Sequence, residues 1–225
     1  MKDLNAVSAN RLNKFLECPF KLALYNFEVE GRPTDDKFLK CGLAVHKWIE
    51  DIIARDGVGS NGKKNGADWY FDEYEVPEEL RGRFNTCVTT ATEKLFPKYG
   101  KVEAEKVLQM YFENGSMLKV EARADLIDEE GVIWDWKTGK ELNKPEYILQ
   151  GQLYCHVFGS DKCIFISLLT GEEFEIKSPP EGYIRKLLQK YHESVKEGNL
   201  PKKSKYDDAC IKRCEYYNIC LNMEV

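Results

Sequence analysis

No stretch of this chain is apolar for long enough to cross a bilayer, and its first residues, MKDLNAVSAN, lack the apolar run that leads proteins out of the cell. Both absences point to a cytoplasmic protein with no membrane partner. Net positive charge is missing too. Lys and Arg number 33 against 38 Asp and Glu, a net charge of -5, so no global field pulls the chain toward nucleic acid and any basic surface has to be local. No internal repeat and no low-complexity tail interrupt the sequence. Histidine is scarce, at three residues.

What is present describes an ordinary globular protein. Of 225 residues, 43% are hydrophobic and 32% charged, enough apolar material for one domain over residues 1–225. Ser8 is placed to cap a helix through ANRLNKFLECPFKLALYNF, which Pro19 breaks after Cys18. Leu39, Leu43, Ile49 and Ile53 recur at helical spacing and predict a helix over 37–55. A Gly/Asn/Lys loop follows at 56–68, then a helix from Glu78 to Phe96. Asn114-Gly115 marks a hairpin between KVLQMYF and MLKVEARADLID. The strand VIWDWK, a helix over 145–159, the strands KCIFISLL and EFEIKS, and a closing helix EGYIRKLLQKYHESVKEG complete the pattern. The order predicts a mixed α/β domain: helices at 8–55, a sheet-bearing core at 101–197, and a cysteine-rich end at 198–225.

Eight cysteines are present, and a reducing compartment argues for metal ligands or reactive groups over disulfides. Cys41, Cys87, Cys155 and Cys163 lie in apolar, periodic segments and read as small core residues. Cys210, Cys214 and Cys220 crowd into CIKRCEYYNIC instead.

The segment VIWDWKTGK places a carboxylate and an ammonium two residues apart. Alternation in a strand projects Asp135 and Lys137 from one face and Trp134 and Trp136 from the other. An isolated pair of this kind is ordinarily a solvated ion pair. Asp125, however, lies on the preceding strand, and a tight turn between antiparallel neighbours lets it converge on Asp135. Two adjacent carboxylates repel unless a cation lies between them; Lys137 offsets one charge, and a divalent ion of the Mg2+ or Mn2+ type offsets both. Glu121 shares the Asp125 face by the same alternation. His46, by itself, reads as a satisfied helical histidine. Gln150 and Tyr154, four apart, share a helical face, and Tyr154 alone reads equally as a core aromatic. Trp69, Tyr70 and Phe71, beside Lys63 and Lys64, either stack bases or fill the core. Local basic groups available for DNA are Arg11, Lys14, Lys21, Lys140, Lys144, Lys202, Lys203 and Lys205, and any single one reads equally as a solvated helix face.

The succession His46, Asp125, Asp135-x-Lys137, Gln150-x-x-x-Tyr154, with SANRLNKFLECPFKLAL and GLAVHKWIE before it, resembles the PD-(D/E)xK nuclease superfamily, and within it the RecB-like exonucleases. The resemblance runs from about Ser8 to Cys220. Asp135 stands where many relatives have Glu, and Arg123-Ala124 precedes Asp125 where a Gly-x-x-Asp pattern is usual; neither departure removes a ligand. The resemblance implies a restriction-endonuclease-like mixed sheet flanked by helices. It implies that Asp125, Asp135, His46 and the Trp136 backbone carbonyl hold one or two Mg2+ or Mn2+ ions. Lys137 would orient the attacking water, and Gln150 and Tyr154 would position the strand. Cys18, Cys210, Cys214 and Cys220 are similar to the iron–sulfur variety of the family, where a [4Fe–4S] cluster joins the C-terminus to the N-terminal helices, as in CRISPR-adaptation nucleases and AddB-type subunits. A zinc ion held by the same four thiolates is the alternative that the cysteines alone leave open. The implied activity is a deoxyribonuclease, an exonuclease on single strands or frayed ends, in CRISPR adaptation, recombination or phage DNA processing. A non-catalytic DNA-binding subunit that assists a partner complex is the alternative.

Overall fold

The computed structural model describes residues 2–31, 36–53, 66–94, 100–201, 210 and 214–222, and of 100–104 the backbone alone. The chain divides into two compact units, one of Met1–Thr34, Val107–Glu121 and Pro180–Val225, the other of Asp35–Lys106 and Ala122–Pro179. Strand β1 covers Ala6–Ser8, helix α1 Ala9–Glu17 and α2 Pro19–Asn26. Helices α3 (Lys37–Ile53), α4 (Ala67–Glu73) and α5 (Arg81–Lys94) follow, a 3-10 turn at Glu78–Leu80 leading into the last. Strands β2 (Gly100–Tyr111), β3 (Met117–Asp128) and β4 (Ile133–Lys137) come next, then α6 (Pro145–Phe158), β5 (Lys162–Ser167), β6 (Glu173–Lys177) and α7 (Tyr183–Lys196). A short helix at Tyr217–Asn222 ends the described chain.

In the first unit the Ser8 side chain accepts the Arg11 amide and starts α1, and extended Cys18 with Pro19 behind it ends α1 and starts α2. Strand β1, too short to show a pattern in the sequence, pairs parallel with β3 from Ala6–Lys119 to Ser8–Glu121. Leu12, Phe15, Leu22 and Tyr191 are buried, with the Phe15 and Tyr191 rings edge-on at 5.4 Å. Arg11 corrects a sequence expectation. It is buried, its guanidinium donating to the Asp3 carbonyl and to Asn26 Oδ1, so it is a structural cation rather than a surface one.

In the second unit the strand order is β3-β4-β5-β6. β3 and β4 are antiparallel, α6 crosses over to make β4 and β5 parallel, and β5 and β6 are antiparallel again. The sheet is therefore mixed and flanked by helices. Leu126, Trp134, Trp136, Ile164 and Ile166 form a core with α3, α4 and α5. On the opposite face lies α6, whose Gly151 permits close approach, since a Cβ there would meet Ile176 Cδ1 at 2.8 Å. The inward residues of α3 are Cys41, Ala44, Val45, Trp48 and Ile49, whereas Leu39 and Leu43 are 63% and 49% exposed. The apolar spacing found the helix but not its inner face, since of the marker residues Ile49 is buried while Leu39 and Leu43 point outward. Tyr70 and Phe71 are core residues, Tyr70 donating to Asp51, and Trp69 alone of the three is exposed. Helix α4 begins at Ala67, inside the segment expected to be a loop; the rest of that loop, with Lys63 and Lys64, lies outside the described residues. Cys41, Cys87, Cys155 and Cys163 are free and buried, as their apolar settings imply. Among the described residues no helix is long and apolar enough to cross a membrane.

Candidate active site

The paired residues of β3 and β4 are Leu126–Trp134 and Ile127–Ile133, so one step further Asp125 faces Asp135. At that point the Trp136 amide donates to Asp125 Oδ2 at 2.9 Å. A strand residue's amide and carbonyl point to the same side, which turns the Trp136 carbonyl toward Asp125. Asp135 and Lys137 emerge together on the α6 face, as alternation requires. Lys137 Nζ lies 2.5 Å from Asp135 Oδ1 and donates to Gln150 Oε1 at 3.2 Å. The Gln150 amide donates in turn to Asp135 Oδ2 at 3.2 Å and to the Tyr154 hydroxyl at 2.6 Å. From α3, His46 Nδ1 reaches to 3.4 Å from Asp125 Oδ1. All six predicted side chains are thus brought into one network.

Burial disfavours charge on these groups, and their neighbours decide which keep it. Burial works against ionisation of Asp125, but His46 and Lys137 outweigh it and hold its pKa below the usual value. Asp135, desolvated and facing Asp125, is pushed up to about 6 even with Lys137 beside it. Burial opposes the His46 and Lys137 cations, yet the carboxylates raise both above their ordinary values. Burial, with Asp135 close by, raises the Tyr154 phenol well above its usual range, so it stays a donor.

The donor set fits a hard divalent cation. Asp135 Oδ1 is buried and, among the described residues, has no aligned hydrogen-bond donor, the Lys137 ammonium lying close but off-axis. Two carboxylates, an imidazole and a backbone carbonyl are the oxygen-rich, one-nitrogen chemistry of a Mg2+ or Mn2+ site. The side chains are nonetheless spent on one another, and among the described residues no group of three or more His, Cys, Asp or Glu is closed up for an ion.

Other expected residues are distributed as follows. Glu121 is exposed and lies four residues before Asp125 on β3. Lys140 is exposed, and Lys144 lies 5.7 Å from the Tyr147 ring. Lys14 and Lys21 both pair with Glu215, at 3.5 and 3.4 Å, and are mostly covered. Lys202, Lys203 and Lys205 lie outside the described residues. Cys18, Cys210, Cys214 and Cys220 are partly exposed thiols that line one pocket with Phe20, Lys21 and Leu24.

Two further residues at the site were not among those expected from the sequence. Arg83 on α5 donates to the Thr138 carbonyl just after β4, a contact across 55 residues that no spacing rule encodes. Tyr147 stands 5.0 Å from the Lys137 ammonium. It lies three residues before Gln150, so helical spacing alone could have placed it on the Gln150–Tyr154 face.

The fold has counterparts among solved structures. The crystal structure of SSO0001 superposes with a TM-score of 0.52 at 15% identity, covering 100% of this chain and 90% of that one. A protein from Eubacterium rectale designated a candidate exonuclease gives 0.52 at 13% identity, covering 93% and 88%. A search of curated proteins finds no match. The family model described as the PD-(D/E)XK nuclease superfamily matches residues 6–221, nearly the whole sequence and all of the network around Asp125 and Asp135. The chain belongs to the PD-(D/E)XK nuclease superfamily.

Proposed function

We propose that this nuclease is a Mg2+- or Mn2+-dependent deoxyribonuclease that degrades DNA from ends, on single strands or frayed duplex. The observation that carries this reading is the buried pair Asp125 and Asp135 opposed on adjacent strands with Lys137 and His46 beside them. Asp125, Asp135, His46 and the Trp136 carbonyl would hold the ion. When bound, it supplies a lowered water pKa and positive charge against the phosphate oxygens. Lys137, kept protonated by the carboxylates, orients the water and offsets the charge that grows on phosphorus-bound oxygens. Gln150 fixes Lys137 against Asp135, and Tyr154, held as a donor, positions the strand. Lys140 and Lys144, outside this network, supply phosphate contacts. DNA-end trimming of this kind serves CRISPR adaptation, recombination or phage DNA processing, alone or with protein partners.

The cysteine pocket supports a second element of the proposal, a [4Fe–4S] cluster on Cys18, Cys210, Cys214 and Cys220. Such a cluster would tie the C-terminal segment to the α1–α2 junction. Anaerobically purified protein is then brown, contains iron and sulfide, and is bleached by Cys210→Ser. Colourless protein with one stoichiometric zinc overturns that element and leaves the nuclease reading standing.

For the activity, Mn2+-supported cleavage of linear single strands, blunt duplex and closed duplex circles is compared at equal nucleotide concentration. Single strands are cut fastest and closed circles resist. A flexible strand reaches the strand-end centre directly, whereas a duplex must unpair at ~1.4 kcal/mol per base-pair step. Rapid cutting of closed circles with single strands spared refutes the end-directed assignment.

A further inference from the structure

A buried ammonium next to a carboxylate has a simple resting place, the ion pair. Lys137 in that pair alone would sit on Asp135 Oδ1, the oxygen that fits a cation, and would turn its N–H groups away from a substrate. The structure keeps that contact, at 2.5 Å, and gives the ammonium further neighbours. Its Nζ lies 5.0 Å from the centre of the Phe165 ring and 5.0 Å from that of Tyr147. Phe165 is fully buried and paired in register with Asp135 across β4 and β5, so its place is fixed by the sheet. Tyr147 comes from the first turns of α6, partly exposed, with its ring 5.6 Å from that of Phe165 and tilted 51° to it. The Lys144 ammonium lies 5.7 Å from the same ring. Tyr147 therefore stands between the buried network and the basic segment that leads into α6.

We propose that Tyr147 is a positioning residue whose ring, together with Phe165, seats the Lys137 ammonium for attack. The proposal deepens the nuclease reading and rests on Lys137 acting there as the cation. An aromatic face attracts an ammonium through its quadrupole within about 6 Å. Unlike a carboxylate, it holds the charge without taking a directed N–H bond. The rings thus hold the lysine's charge without taking an N–H beyond those turned to Asp135 and Gln150, leaving a donor for the water or a phosphate oxygen. Gln150 Oε1 at 3.2 Å sets the remaining direction. Only the ring is required, so phenylalanine should replace Tyr147 and an aliphatic side chain should not.

The test uses the full chain with Tyr147→Phe, Tyr147→Leu and Tyr147→Met, each first checked by thermal melting. The Met variant keeps apolar bulk without a π face and serves if the Leu variant is destabilised. Single-turnover cleavage of labelled single-stranded DNA with Mn2+ is expected to slow about tenfold in the Leu and Met variants, with DNA affinity unchanged. The Phe variant keeps the wild-type rate. A second readout needs no activity: amine acylation of metal-free folded protein, followed by peptide mass spectrometry. Lys137 is expected to label several-fold faster in the Leu and Met variants than in wild type or the Phe variant. Wild-type rate and labelling in the Leu and Met variants overturn the proposal. So does a loss of DNA affinity in place of rate, which makes Tyr147 a base-stacking residue. Should wild-type protein cleave nothing, the nuclease reading fails by itself, and the labelling contrast still decides whether Tyr147 seats Lys137.

Discussion

Asp125 and Asp135 face each other across β3 and β4, and their surroundings drive their acidities apart. Asp125 accepts the Trp136 amide at 2.9 Å and stands beside His46, which keep it ionised. Asp135 is buried more deeply, keeps one oxygen without an aligned donor, and is pushed up to about 6. Once both are ionised, the pair carries an excess negative charge over Lys137 alone, which a protonated His46 or a divalent cation offsets.

The first prediction follows from that excess. The folded pKa of Asp135, about 6, lies above its ordinary value of 3.8. The native state therefore holds the extra proton between those values. Ionising Asp135 costs stability as pH rises through that window, and the full cost remains above it. The His46–Asp125 contact acts in the same direction. Its stabilisation is complete below the ordinary histidine value of 6.5 and is lost as pH rises through the elevated folded value. Metal-free protein is thus strained at neutral pH and relaxed in acid. At pH 7.5 saturating Mn2+ is expected to raise Tm by about 5 °C; at pH 5, with Asp135 and His46 protonated, the shift is expected to vanish. Calorimetric scans at the two pH values check this, and equal shifts at both contradict it.

Lys137→Met removes the cation that lies 2.5 Å from Asp135. Cleavage is expected to fall by about 10²- to 10³-fold, the scale for losing one preorganised charge. The Asp135 pKa should rise further once Lys137 no longer lowers it, so the acid limb of the residual pH–rate profile moves to higher pH. A profile that stays in place means that Lys137 does not set the Asp135 charge.

Arg11→Ala is expected to act on stability and not on DNA. Its guanidinium is bound to the Asp3 carbonyl and to Asn26 Oδ1 in a buried setting, and leaving those acceptors unpaired costs about 1–3 kcal/mol. Tm should fall by several degrees while the salt dependence of DNA binding stays that of wild type. Lys140→Glu, at an exposed position, should do the reverse.

The lysine and arginine cases show what the sequence could and could not reveal. Asp135 and Lys137 were legible because strand alternation forces them onto one face, and Asp125 because a tight turn fixes the register opposite. Helix boundaries at Ser8, Pro19 and Gly159 were legible from caps and breakers. Arg11 was not, because its partners Asp3 and Asn26 meet only after β1, α1 and α2 have packed. Leu39 and Leu43 fit helical spacing equally well, yet small Cys41 and Ala44 form the buried face, which depends on the sheet that α3 rests against. Arg83 and Tyr147 belong to contacts made by tertiary packing.

Gly151 is the place where α6 lies closest to the sheet. Gly151→Ala puts a methyl 2.8 Å from Ile176 Cδ1 and 3.3 Å from its Cβ, and overpacking of this kind costs about 1–3 kcal/mol. A Tm drop of several degrees is expected, with Gln150 displaced and cleavage reduced. Ile176→Val, which deletes the nearest atom, should restore part of both in the double variant. Additive losses contradict the contact.

The most direct measurement is Mn2+-dependent cleavage of 5′-labelled linear single-stranded DNA by wild-type protein, Asp125→Asn and Asp135→Asn, with DNA affinity measured alongside. Steady loss of label-bearing strand is expected with wild type and none with either variant. DNA binding should be unchanged or tighter, because a carboxylate facing phosphate has been neutralised. Wild-type activity in either variant contradicts the assignment of this carboxylate pair as the catalytic centre.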